Sequence, residues 1–168
     1  DSVTITPDPA HRDSILECVW EGYYDADGDP DESTVRWMKG FSVVSTEPEV
    51  EGVFVPGDTL TCTVTPFDGL HSGASMSASV TIQNAPPVVT SVALSPDPAF
   101  GNDTLTCTAG YTSDADGTST FLYQYRWFIN DAMVMGAPSS TLSPASFNKD
   151  DAVQCAIAAN DGIDVGEY

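Results

Sequence analysis

Apolar and polar residues alternate with period two in several short stretches of the chain. The plainest is Thr59-Leu60-Thr61-Cys62-Thr63-Val64-Thr65, which puts Leu60, Cys62 and Val64 on one face and the threonines on the other. The same alternation runs through 104–109, through Val153-Gln154-Cys155-Ala156-Ile157 and through Ser79-Val80-Thr81-Ile82. Thr and Val suit a half-buried pleated surface. Turn-forming clusters separate these runs: Pro7-Asp8-Pro9, Asp25-Ala26-Asp27-Gly28, Pro56-Gly57-Asp58 and Asn148-Lys149-Asp150-Asp151. No stretch has convincing helical amphipathic spacing. Short strands at regular spacing, punctuated by turns, predict an all-β chain built as a sandwich.

The pattern occurs twice. An offset of 89 residues aligns positions 1–28 with 90–117, and 12 of those 28 positions are identical. Pro7-Asp8-Pro9-Ala10 falls on Pro96-Asp97-Pro98-Ala99, Cys18 on Cys107, and Asp25-Ala26-Asp27-Gly28 on Asp114-Ala115-Asp116-Gly117. With small gaps, Arg36-Trp37 then matches Arg126-Trp127, Cys62 matches Cys155 and Asp68-Gly69 matches Asp161-Gly162. A repeat of this length implies two homologous modules, 1–85 and 86–168. The join at Asn84-Ala85-Pro86-Pro87 is expected to be stiff and extended, because consecutive prolines restrict the backbone.

Composition narrows the partners. Against 25 Asp and Glu there are 5 Lys and Arg, for a formal charge of −20. That excess leaves too few cations to neutralise phosphates, so no nucleic acid and no anionic membrane surface is expected as partner. At 41% hydrophobic residues the chain can still fill a core. No run of about 18 apolar residues exists, so no membrane span is expected. The N-terminus lacks a basic-then-apolar stretch, so any export signal is expected to have been removed already.

Each module holds two cysteines with a tryptophan between them: Cys18, Trp37 and Cys62, then Cys107, Trp127 and Cys155. In this the chain resembles the immunoglobulin-like sandwich, whose B–F disulfide packs on a strand-C tryptophan. The Asp-rich stretch between strands B and C lengthens the spacing from Cys to Trp. The overall pattern is similar to bacterial-type immunoglobulin-like modules, in the style of PKD and cadherin repeats, strung along secreted surface or filament proteins. The resemblance implies two tandem immunoglobulin-like β-sandwiches, each with one B–F intersheet disulfide, Cys18–Cys62 and Cys107–Cys155. The alternative is four free, buried cysteines. Disulfides imply an oxidising compartment, hence a secreted, cell-surface or otherwise extracellular location.

Asp25, Asp27 and Asp29 alternate through a tight turn, and Ca²⁺ takes six to eight oxygen ligands. In an immunoglobulin-like topology the B–C and F–G loops share one end. Asp68 would therefore approach the three aspartates of module one, and Asp161 would approach Asp114 and Asp116 in module two. A calcium ion at the second site would stiffen the joint between the modules, as in cadherin-like repeats. A solvated acidic turn is the simpler reading of both stretches, since Asp and Gly are ordinary turn residues.

The modules differ at their ends. After Asp68-Gly69, module one continues into Ser79-Val80-Thr81-Ile82, a good final strand. After Asp161-Gly162 only six residues follow, so strand G of module two is expected to be missing. Either a longer natural chain or another chain would supply it. Ser2-Val3-Thr4-Ile5 repeats the Ser-Val-Thr-Ile of that final strand, so a second copy's N-terminus is a candidate donor. Head-to-tail donation would build an open homopolymer. The alternative is that Ser2–Ile5 form strand A of their own module.

Little else suggests chemistry. His11 and His71 sit in inferred loops, and the chain has no G-x-S-x-G, Walker-type or HExxH motif. No enzymatic activity is expected. Asn102-Asp103-Thr104 matches an N-glycosylation acceptor. The expected role is a structural repeat unit of an extracellular filament, fibre or stalk. The competing role is an adhesin or carbohydrate-binding module, for which Tyr23, Tyr24 and Tyr123 are the candidate glycan contacts.

Overall fold

A computed structural model describes residues 2–168. It is all-β: among the described residues the only helical element is a 3₁₀ turn at Pro144–Ser146. None of the described helices is long and apolar enough to cross a membrane. The chain divides into two compact units, Asp1–Asn84 and Ala85–Tyr168.

The first unit runs β1 (Ser2–Thr6), β2 (Ala10–His11), β3 (Leu16–Glu21), β4 (Thr34–Lys39), β5 (Ser42–Ser45), β6 (Glu49–Val50), β7 (Thr59–Thr65) and β8 (Met76–Gln83). Two sheets form, one ordered β1-β3-β6 and the other β2-β8-β7-β4-β5. Period-two alternation turns one side of each sheet inward. From β7 this buries Leu60, Cys62 and Val64, and from β8 Val80 and Ile82. These side chains meet Leu16 and Cys18 of β3, and Trp37 of β4 is fully enclosed between the sheets. The Trp37 indole N–H donates to the Glu47 carbonyl at 3.1 Å, so its one polar atom is satisfied. The Cys18–Cys62 disulfide ties the two sheets together through this core.

On the outer face of β7 and β8, hydroxyls pair across the strands. Thr59 meets Thr81, Thr61 meets Ser79, Thr63 meets Ser77, and Thr65 meets Ser75 just before β8. Cross-strand pairs of this kind reinforce the register that the buried face sets.

The second unit contains β9 (Val88–Val89), β10 (Val92–Ser95), β11 (Leu105–Ala109), β12 (Thr112–Ser113), β13 (Leu122–Ile129), β14 (Ala132–Met133), β15 (Thr141–Leu142) and β16 (Val153–Asn160). Its main sheets are β10-β11-β15 and β14-β13-β16, with β9 and β12 forming a small separate pair. The plan of the first unit recurs. Trp127 is fully buried and donates to the Ser139 carbonyl at 2.8 Å, beside Leu105, Cys107, Leu142 and Ile157. Cys107 and Cys155 are bonded across the sheets, and no described cysteine is free.

One element does not recur. In the first unit β7 lies between β4 and β8, whereas β16 pairs only with β13 and forms the sheet's edge. At its far end β16 meets the chain's last residues, through a bridge from Asn160 to Val165 and a hydrogen bond from Gly166 N–H to the Ala159 carbonyl.

Candidate functional site

The acidic turns are built by their own side chains. Asp25 Oδ1 accepts the backbone N–H of Asp27 at 2.7 Å and of Asp29 at 3.1 Å, which curls the loop around one carboxylate. Gly28 completes the turn at φ 83°, a conformation in which a side chain would be strained. Asp114 repeats the device, accepting Asp116 N–H at 2.7 Å. Asp116 Oδ2 in turn accepts the N–H of Ala85 at 2.6 Å.

In the first unit this loop meets the loop that carries Asp68. The Glu32 N–H donates to the Phe67 carbonyl at 2.9 Å. Tyr23 stands among the acids, its hydroxyl donating to the Pro30 carbonyl at 3.1 Å. Its phenol is pushed above the ordinary tyrosine value, by desolvation first and then by the charges of Asp25, Asp68, Asp31 and Asp29. Four carboxylates from two loops thus act on one ring. Asp68 itself is held below the usual carboxylate range by the N–H groups of His71 and Leu70. In the second unit, Asp161 Oδ1 accepts the N–H of Ile163 and of Asp164, both at 2.7 Å.

The aspartates at 25, 27, 29, 68, 114, 116 and 161 lie in these loops, and in Asp25, Asp68, Asp114, Asp116 and Asp161 one carboxylate oxygen accepts from the main chain. Among the described residues, no three His, Cys, Asp or Glu side chains are grouped so as to hold one metal ion. One observation does fit a cation. Asp114 Oδ2 is buried and has no hydrogen-bond partner, a costly state for a carboxylate oxygen unless a cation faces it.

Asp31 joins this loop as a further acidic residue. It accepts the Trp20 indole N–H at 3.2 Å and the Ser33 N–H at 2.9 Å. Its pKa is lowered, chiefly by the Ser33 hydrogen bond. The signal was available, because Asp31 continues the alternation of Asp25, Asp27 and Asp29 by one more step. Nearby, Trp20, Tyr23, Tyr24 and Met76 line an apolar hollow of about 510 Å³. Tyr123 belongs to the second unit, within hydrogen-bond distance of Thr112.

Ser2, Val3, Thr4 and Ile5 lie in β1, paired antiparallel with β3 from Ser2 opposite Glu21 to Thr6 opposite Glu17. Ile5 is buried in its own unit's core. The four residues are thus engaged as an outer strand of the first unit. Asn102 is exposed in the turn before β11.

Around β16 the two units part company. In the first unit β8 covers Leu60 and Ala10, both fully buried, and β2 pairs with it through Ala10 and Ile82. Their sequence counterparts in the second unit are Val153, which is only half-buried, and Ala99, which is exposed. Phe100, in the place of His11, is 68% exposed. Leu94, Ala99, Phe100, Leu105, Phe147 and Val153 line a groove of about 680 Å³.

No known protein family matches the chain. No curated protein matches it either.

Proposed function

We propose that this chain is a non-enzymatic structural building block of an extracellular assembly: two tandem immunoglobulin-like modules used as repeat units of a filament, fibre or stalk. The observation that supports this most is the duplication of a single plan, a stapled sandwich around a buried indole, within one chain. Repetition of a stable unit extends a structure in space without requiring a specialised pocket. Two disulfides in units of this size suit an oxidising, extracellular setting, and the charge of −20 keeps such a protein soluble between assembly events. Copies or neighbouring repeats would join through sheet edges. Donation of Ser2–Ile5 from a second copy would first require β1 to leave β3, and an uncommitted strand meets no such obstacle.

Calcium belongs to the same proposal, with Asp114 as its best-supported ligand, and Asp116 and Asp161 beside it. In the first unit Asp25, Asp27, Asp29 and Asp68 would play that part. The loops would have to draw these carboxylates together to share an ion. Bound cations would relieve the repulsion among them.

Negative-stain microscopy of the native material tests the main reading. Fibres or rods with a regular axial repeat are the expected result. Dispersed particles at every concentration, together with selective glycan binding, would instead favour the adhesin reading. The hollow beside Trp20, Tyr23 and Tyr24 is the observation on that side, because aromatic faces stack on sugar rings.

A further inference from the structure

We propose that a hollow on the flank of the first unit binds a saccharide carrying a carboxylate, of the hexuronate class, with Arg36 taking the carboxylate and Trp20 the sugar ring. This goes beyond the building-block reading and does not depend on it, since a repeat unit can also grip a glycan beside it.

Trp20, Ser33, Thr34, Arg36, Thr46 and Pro48 line the hollow, whose volume of about 530 Å³ lies within the range of small-ligand sites. Its walls are fixed by the interior of the unit. On one side Thr34 and Arg36 of β4 pair with Thr65 and Thr63 of β7. On the other, the link from β5 to β6 is pinned at two carbonyls. The Trp37 indole N–H donates to Glu47 at 3.1 Å, and the Cys18 N–H donates to Pro48 at 2.9 Å. Trp20 is anchored in turn, its indole N–H donating to Asp31 at 3.2 Å. Walls held in this way have little freedom left to lose when a ligand enters.

Arg36 stands apart in a chain with 25 Asp and Glu: it is exposed, and among the described residues it makes no ion pair. The reason is its place. Trp37 is buried, so alternation puts Arg36 on the outer face of its sheet. The strands beyond it there, β7 and β8, contain no Asp or Glu. Glu47 and Glu49 alternate with Thr46 and Pro48, and they line a different hollow with Ile15.

The guanidinium is thus left for an anion from outside, and it takes a carboxylate through two parallel N–H bonds. The hydroxyls of Ser33, Thr34 and Thr46 match the hydroxyls of a sugar, and an indole offers an apolar surface to the C–H side of a pyranose ring. A bare anion would use the arginine alone, and a neutral sugar the indole and hydroxyls alone. A hexuronate uses all of them. The second unit has Arg126 in the place of Arg36 but Ala109 in the place of Trp20, so the chain carries one such site.

The test titrates trigalacturonate onto the full chain and follows quenching of tryptophan emission by acrylamide. Trp37 and Trp127 are fully buried, so Trp20 is the one that reports. The expected result is Trp20 shielded by the trisaccharide, with Kd raised about tenfold or more by Arg36→Gln and by full methyl esterification of the sugar, each of which removes the charged hydrogen bonds. Arg126→Gln is expected to bind as wild type does. No shielding at millimolar trisaccharide would overturn the proposal, as would equal binding by Arg36→Gln or of the methyl ester. Displacement by an equal concentration of acetate would reduce the site to an anion contact and overturn the sugar. Loss of binding in Tyr24→Ala with Arg36→Gln unaffected would move the ligand to the hollow beside Tyr23 and Tyr24 and overturn the assignment. The readout needs no fibre, so failure to polymerise and failure to bind the saccharide remain distinct results.

Discussion

Removing each disulfide separately tests how the two units are held. Cys18–Cys62 closes a loop of 44 residues and Cys107–Cys155 one of 48. On the chain-entropy account each bridge stabilises its unit by about 4 kcal/mol, and the two loop lengths differ in effect by only about 0.1 kcal/mol. A unit of this length has a total stability of roughly 4–13 kcal/mol, so either loss is a large fraction of the whole. The entropic terms nearly cancel between the variants, so any difference must come from the folded state. Cys62 is fully buried beneath β8, whereas Cys155 lies on the open edge and is half-buried. Cys18→Ala with Cys62→Ala therefore leaves a cavity that cannot relax, and should cost more than Cys107→Ala with Cys155→Ala. Calorimetry of the two double variants should show one transition lowered by roughly 15–30 °C in each case, with the larger drop in the first unit. If the second unit loses more, or if either variant loses under about 1 kcal/mol, the account of a bridge working beneath a closed sheet is wrong.

Two further outcomes are expected. Millimolar CaCl₂ should raise the second unit's melting temperature and EDTA should reverse it, with Asp114→Asn abolishing the response; a curve indifferent to both additives removes calcium from the proposal. Asp58 is held below the usual carboxylate range by the Val55 N–H first and by Lys39 second. A depressed pKa gives stability that is present above the unfolded value, near about pH 4, and is lost as pH falls through the folded value. Wild type should therefore lose its advantage over Asp58→Asn between about pH 5 and pH 2 in urea titrations; a constant difference would refute the linkage. The comparison with the variant matters because protonating the other carboxylates relieves repulsion and acts in the opposite direction.

Where alternation was long enough, the strands were legible in the sequence. Thr59–Thr65 is β7 at both ends, because each inward side chain there is apolar and each outward one is Thr. The two-residue strands β2, β6, β9, β12, β14 and β15 carry no period of their own, and their pairing is decided by tertiary neighbours such as Ile82 beside Ala10. The meeting of the Asp25 and Asp68 loops followed from the resemblance to an immunoglobulin-like topology and appears in the charges around Tyr23. What spacing alone could not give was how the aspartates spend their oxygens. An Asx-type turn and an ion site use the same residues, and only the direction of the main-chain N–H groups separates them.

The duplication makes each unit a control for the other. Leu16 and Leu105 occupy the same place and are equally buried, as are Cys18 and Cys107, and Trp37 and Trp127. Those positions depend only on strands that both units possess. Differences begin where β8 has no equivalent: Leu60 against Val153, Cys62 against Cys155, Ala10 against Ala99. A weaker fold in the second unit would have loosened the indole and the first sheet as well, and neither is loosened. The deficit is confined to one edge and has the width of one strand. The core around each indole depends on the strands the two units share, and the burial of the residues beside β16 depends on the strand that flanks β7 in the first unit alone.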